Sequence, residues 1–361
     1  MTTPLLILDN DAIKQVLDIR ACMDALDRAY RALAAGNVSA GGRRQIYAPG
    51  GTPAAAYCLK SMEAALPDSG YMVLRLTSDL VAEETSGGES RRVKLPRAPG
   101  NGFNGYVGLI VLFSTIDLAP VAILHDGYIQ LVRVACTGAL SVRLMARTDA
   151  GDLALIGSGE QAWTHLAAIR GERKLRRVRV YSPNAERRNT FARKAAAEFG
   201  LNVQAADNAQ AAMDGADIVV AATNASAPIL DGRWITPGAH VISIVSGDKK
   251  TQRRELDDET MRRAALVVTH CKEDAIEMQN GDLAVPVERG IMRWDDVVDF
   301  PDLVTGRAAG RVNETDITVF KNNGGTGMQF AAVAPLVYEA ARAAGLGNKV
   351  PREWLVEQMI S

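Results

Sequence analysis

The 361-residue chain is poor in the residues that build metal centres and disulfide frameworks. Its four cysteines, Cys22, Cys58, Cys136 and Cys271, are scattered with no C-x-x-C pair, and His125, His165, His240 and His270 are equally dispersed. That pattern argues against a structural metal and for a soluble protein of a reducing compartment, the cytoplasm. The histidines read as core or surface residues rather than ligands. A dominant charge is missing too: 41 basic and 42 acidic residues leave a formal net charge of −1, so no global field favours nucleic acid or a membrane surface. No run reaches the ~18 apolar residues that span a bilayer. Met1-Thr2-Thr3-Pro4 has neither the basic segment nor the apolar stretch of a signal peptide, and no internal repeat is visible. What is present is 47% hydrophobic residues, over a length that suits two domains with sizeable cores.

The most specific stretch runs from Asp152 to Ala162. A short apolar run, Leu153-Ala154-Leu155-Ile156, enters the turn Gly157-Ser158-Gly159 and then, through Glu160 and Gln161, a helical pattern. This is the G-x-G-x-x-A form of a dinucleotide fingerprint: Gly157 permits the turn, Gly159 lets a pyrophosphate approach bare backbone, and Ala162 lets helix and strand pack closely. Alternation continues with a strand at Arg176–Tyr181, a helix at Ala185–Phe199, and strands at Leu201–Val203, Asp217–Thr223 and His240–Val245. Strands and helices alternating with short connections predict a doubly wound parallel sheet, a Rossmann domain, over 148–318.

The tip of the second strand bears on which dinucleotide is bound. An acidic residue ~20 positions beyond the fingerprint normally grips the ribose hydroxyls of NAD. Here the turn reads Ser182-Pro183-Asn184-Ala185-Glu186-Arg187-Arg188, without a carboxylate at the strand tip. Ser182 and Asn184 can donate hydrogen bonds and Arg187 can pair with a 2′-phosphate, so the reading is NADP(H) preferred, NAD(H) possible. Arg187 and Arg188 also fit as solvated residues of a helix's first turn.

Residues 1–147 read as an α+β domain. Asp9 and Asn10 cap a helix through Leu17, and a second helix covers Ile19–Ala35. Strand candidates follow at Ala54–Lys60, Met72–Leu76 and Tyr106–Thr115, with Val121–Leu124 as a hairpin partner. Glu83–Gly102, rich in Gly, Pro and mixed charge, reads as a long loop, of the length often used as a lid or an oligomer contact. After Ile317–Phe320 and the turn Asn322-Asn323-Gly324-Gly325-Thr326-Gly327, a long helix to Ala344 is expected to return to the first domain. The expected division is 1–147 plus 319–361 against 148–318.

Arg133 looks least structural. From Leu131 to Val142 it is the only charge in an apolar, small-residue helix, which should be buried. A buried guanidinium must meet an anion, either a protein carboxylate or a substrate carboxylate. Lys60, Arg75 and Arg43 or Arg44 fall in strand candidates of the same domain. Singly each fits an outward-facing strand position; with Arg133 they suggest a cationic pocket for an anionic substrate. Asp248 follows the fifth Rossmann strand, at the carboxyl edge where ligands bind, and is the candidate acid–base. Its structural alternative is the cap of a helix starting near Glu255.

Taken in order, the segments around Leu131–Ala135, Gly157–Gly159, Ala221–Asn224, Pro237–His240, Ser246–Asp248 and Thr318–Gly324 resemble the ornithine cyclodeaminase/μ-crystallin family over nearly the whole chain. The resemblance implies a Rossmann domain inserted in an α+β substrate-binding and dimerisation domain, with at least a homodimer. It makes Arg133 similar to the family's carboxylate-binding arginine, Asp248 to its catalytic aspartate, and Arg43, then Arg44, to a second carboxylate ligand. Within the matched segments, Thr223, Asn224, Ser246 and Asn323 complete the cofactor side. Two departures stand out: Lys60 occupies the place of a glutamate, and Arg75 aligns with the family's lysine. Arginine stays protonated and is a poor proton shuttle, so Lys60 takes over part of that role. Added positive charge argues against ornithine as substrate.

The leading expectation is an NAD(P)H-dependent oxidoreductase acting on the C–N bond of a small anionic amino or imino acid, an imine reductase or amino-acid dehydrogenase. Lys60, Arg75 and Asp248 are its proton-handling candidates. A cyclodeaminase that uses its cofactor catalytically and a non-enzymatic, NADPH-dependent ligand carrier of μ-crystallin type are the alternatives.

Overall fold

The computed structural model describes residues 4–50, 55–86, 89–94, 107–247, 252–322 and 325–357. Contacts divide the chain into one unit of Met1–Arg133 with Thr326–Ser361 and a second of Val134–Gly325. This division by contacts does not coincide with the expected boundaries at 147/148 and 318/319. One division falls within the helix Asp126–Met145, and the strand Ile317–Lys321, which the expected boundary cuts, belongs whole to the second unit.

In the first unit, Asp9 and Asp18 cap helices Asn10–Val16 and Ile19–Ala34, accepting from Ala12 N and Ala21 N at 2.8 Å each. Cys22, Leu26, Ala29 and Tyr30 recur at helical spacing and bury one face of the second helix. Among the described residues the sheet has nine strands. Its centre is the antiparallel run Ala55–Ala65, Tyr71–Ser86, Val107–Ser114 and Pro120–His125. The register sets Met62 opposite Arg75 and Lys60 opposite Thr77, so Lys60, Met62, Arg75, Thr77 and Asp79 share one face. Helix Gly327–Ala343 packs on these strands. Its approach requires Gly327, because a Cβ there would lie 2.4 Å from the Glu63 carbonyl oxygen.

Within the segment expected to be a loop from Glu83 to Gly102, residues 83–86 and 89–94 are strand: Tyr71–Ser86 pairs with Glu89–Lys94, from Val81↔Lys94 to Ser86↔Glu89. Acidic and basic positions oppose each other across this ladder, Glu83 against Arg92 and Glu84 against Arg91. Residues 95–102 lie outside the described residues.

The second unit is built on a parallel sheet, eight-stranded among the described residues. Asp152–Ile156 lies between Arg177–Tyr181 and Ile218–Ala221. Next come His240–Ser243 and then Ile317–Lys321. Beyond these lie Ala264–Thr269 and Val297–Asp299, two strands absent from the sequence reading. The core strands are buried on both faces, as in Ile218–Ala221, where every residue is buried. The helix expected near Glu255 begins at Asp258, with Asp257 as its cap.

Candidate functional site

In the second unit the glycine turn is built as its sequence demands. Gly157 has φ +119°, and a Cβ there would meet the Ala222 carbonyl oxygen at 2.2 Å, so no other residue fits. Gly159 opens helix Glu160–Ile169 without a side-chain cap, and nothing lies within 4 Å of where its Cβ would be. Uncapped first-turn N–H groups beside open space suit a pyrophosphate. Ala162 is fully buried at the strand–helix contact. The buried Gln161 Oε1 has no hydrogen-bond partner among the described residues, which leaves one acceptor over at the turn. These residues fit a dinucleotide.

The strand tip separates the two arginines. Arg188 Nη1 donates to Ser182 O at 3.1 Å and Nη2 lies 4.0 Å from Asp207, which fixes the turn. Arg187 lines a cleft of about 1180 Å³ with Ser158, Gly159, Asn184, Thr190 and Lys194, next to Glu186 and Glu198. Asn184 Oδ1 accepts from Arg187 N at 2.9 Å as the cap of Ala185–Phe199, so its oxygen is committed. Ser158 and Ser182 hydroxyls lie 2.8 Å apart.

At the carboxyl edge of the same sheet sits a cluster that sequence reasoning missed. Glu255, Asp282 and Lys321 are all fully buried. Lys321 Nζ donates to Asp282 Oδ2 at 2.8 Å, Ser243 Oγ at 2.9 Å and Val245 O at 2.6 Å. Glu255 accepts from Thr223 N and Oγ1 on one oxygen and from Ile244 N and Val245 N on the other. Burial raises the Glu255 carboxyl above its ordinary range, opposed by Lys321. Of the expected cofactor contacts, Thr223 thus faces this cluster, Asn224 and Ser246 follow in the two loops it holds, and Asn323 lies outside the described residues. So does Asp248.

The first unit carries the cations. Arg133 is 1% exposed; Nη1 donates to Gln329 Oε1 at 2.7 Å and Nη2 to Gln130 Oε1 at 2.6 Å. Gln329 Nε2 in turn donates to the Tyr30 hydroxyl at 2.9 Å, which fixes the orientation of its amide. The buried guanidinium was expected to meet an anion; in these bonds amide oxygens serve. Arg75 is held by Asp126, with Nε and Nη2 at 3.0 and 2.6 Å from Oδ2, both side chains buried. Lys60 Nζ pairs with Asp79 at 3.0 Å. The Phe330 ring lies under both guanidinium groups, 4.6 Å from Arg75 and 5.1 Å from Arg133. Lys60, Arg75 and Arg133 are thereby gathered on the face covered by Gly327–Ala343. Arg43 is half-buried and Arg44 exposed.

Asp79, Asp126, Gln130, Gln329 and Phe330 escaped the sequence reading. Asp126 and Gln130 stand two turns and one turn before Arg133 in its own helix, the one local signal available. No group of three or more His, Cys, Asp or Glu side chains able to hold a metal occurs among the described residues.

The chain is 31% identical to Delta(1)-pyrroline-2-carboxylate reductase of Bacillus thuringiensis subsp. konkukian (strain 97-27), over 67% of this chain and 74% of that one. It is 27% identical to mouse ketimine reductase mu-crystallin, over 64% and 68%. The structure of Thermococcus litoralis Delta(1)-pyrroline-2-carboxylate reductase with NADH and L-proline superposes with a TM-score of 0.84 at 25% identity, covering 96% of this chain and all of that one. The model of the Ornithine cyclodeaminase/mu-crystallin family matches residues 93–345, and the chain belongs to that family.

Proposed function

We propose that this protein is an NAD(P)H-dependent reductase of the C=N bond of a small imino acid, with NADP(H) preferred. The observation that carries the reading is Arg133, a buried guanidinium aimed by two glutamine amides in a chain that also holds a dinucleotide turn. When bound, the reduced nicotinamide supplies the hydride. The chain's own residues do the rest. Arg133, with Arg43, anchors the substrate carboxylate and so fixes where the imine carbon lies, the kind of placement from which much of an enzyme's rate originates. Asp248 carries the proton to nitrogen; a pH–rate profile unchanged in Asp248→Asn would remove it from the reaction.

Lys60 is the second proton-handling candidate by residue type: a lysine ammonium, unlike a guanidinium, can exchange its proton, and Lys60 shares a sheet face with Arg75. Arg75 is better read as structural: its guanidinium is committed to Asp126 and holds its proton at any working pH.

Three further readings follow. Arg187 and Lys194 line one cleft at the end of the second strand, which supports a 2′-phosphate there. The sheet face opposite Arg75 exposes Ile46, Met72 and Leu109 at 65%, 43% and 41%, an apolar face suited to a second copy of the chain and hence to a homodimer. All four cysteines are free, in keeping with a cytoplasmic setting, and no described helix is long and apolar enough to cross a membrane.

The test is stoichiometry. NADPH oxidation with cyclic imino acids, or with 2-oxo acids plus amines, should proceed one for one with product. Ammonia release without net NADPH change would instead make the protein a cyclodeaminase.

A further inference from the structure

The buried cluster at the sheet edge has no part in the chemistry just described, yet it is costly to keep. Ionised side chains removed from water are poor stabilisers even when paired, and apolar replacements of similar shape are often as stable. What this cluster does with its hydrogen bonds is specific. Glu255 takes the N–H groups of Thr223, Ile244 and Val245, which leave the ends of two adjacent parallel strands. Asp282 Oδ1 takes those of Glu255 and Leu256, at 2.9 and 3.0 Å. Lys321, from the next strand, holds the Val245 carbonyl. Ser243 Oγ stands 2.8 Å from Glu255 and 2.6 Å from Asp282, so its one proton links whichever carboxylate it serves. Two strand-exit loops are therefore shaped from inside the protein, before any ligand arrives.

We propose that Glu255, Asp282 and Lys321 are positioning residues that preform the Thr223–Ala225 and Ile244–Gly247 loops for the dinucleotide. The proposal rests on the reading of this sheet edge as the cofactor site. None of the three touches the cofactor; they act through the backbone groups they hold. A carboxylate suits the Glu255 position because both its oxygens accept. An amide would turn an NH₂ group toward one of the two sets of N–H donors, so Glu255→Gln keeps the shape and frees one loop.

The experiment starts with fluorescence titration of the full-length wild type with NADPH and NADH. Failure of the wild type to bind either overturns the cofactor reading itself, independently of the cluster. Given binding, apo Glu255→Gln should exchange amide hydrogen faster at Thr223 or at Ile244–Val245. Its dinucleotide Kd should rise about tenfold or more, the equivalent of one lost charge-assisted hydrogen bond. kcat should fall while KM for the imino acid stays near wild type. Faster exchange with unchanged Kd and kcat would overturn the proposal, as would unchanged exchange.

Should Glu255→Gln fail to fold, the paired variant Lys321→Met/Asp282→Asn carries the test. It removes both charges together, leaves Glu255 in place and releases the Val245 carbonyl. A raised dinucleotide Kd in a folded protein supports positioning; a wild-type Kd refutes it.

Discussion

Replacing Arg133 by Met separates anchoring from packing. The side chain is 1% exposed, so its hydrogen bonds of 2.7 and 2.6 Å to Gln329 and Gln130 are shielded from water. Methionine keeps most of the stem and removes the fork. In the free protein, two amide oxygens lose a donor, at about 1–3 kcal/mol each. That loss is offset by no longer burying a guanidinium. The melting temperature should accordingly fall by no more than several degrees, at roughly 2–4 °C per kcal/mol for proteins of 150–250 residues and less for a longer chain. Turnover should suffer far more. Truncating one partner of a buried charged pair costs about 2–5 kcal/mol, which lowers kcat/KM between about 30- and 5000-fold. Steady-state NADPH oxidation measures that ratio, and circular dichroism confirms that the variant is folded. A folded Arg133→Met enzyme with kcat/KM within about threefold of wild type would refute the anchor.

Arg75→Lys tests the structural reading of Arg75. A single ammonium cannot reproduce the two bonds to Asp126 Oδ2, so stability should fall by about 1.5–3 kcal/mol in urea titrations while the pH–rate profile keeps its shape; a changed profile would return Arg75 to proton transfer. Arg187→Ala should raise KM for NADPH by tenfold or more, or about 1.4 kcal/mol, and leave that for NADH unchanged. Equal effects on both would end the 2′-phosphate reading. Stability should also fall in mild acid. Burial lowers His240 to about 3 and His165 to about 4, below the unfolded value near 6.5. A depressed folded pKa gives stability that is full above the unfolded pKa and is lost as pH falls toward the folded one. Thermal melts should therefore be flat above pH ~7 and drop between about 6.5 and 4, by up to about 1.4 kcal/mol per pH unit for each histidine. A fall no smaller in His165→Gln would assign it elsewhere.

Local signals made the glycine turn, its flanking strand and helix, and the helix cap at Asp9 legible in the sequence. Strand, turn and helix there are neighbours in the chain, and their residues have few substitutes. Arg133 was legible for a different reason: one charge in an apolar helix contradicts its surroundings. Ala264–Thr269 was not read, because a strand buried on both faces is a short apolar run without alternation. The Glu89–Lys94 strand was hidden by glycine and mixed charge, whose meaning depends on the pairing register. Asp126, Gln329 and the Glu255–Asp282–Lys321 cluster meet their partners through tertiary contacts across distant segments, which no window along the chain displays. Lys321 illustrates the difficulty, since a lysine ending a strand ordinarily reaches water and this one is fully buried.

The central claim, that this chain reduces the C=N bond of a small imino acid at the expense of NAD(P)H, is tested most directly by one measurement. Purified enzyme is mixed with a cyclic 2-imino acid and NADPH, and the loss of NADPH is compared with the amino acid formed. The account predicts a ratio of one to one, abolished or greatly slowed in Arg133→Met. Tight binding of the acid with no NADPH consumed across the substrate panel would contradict it.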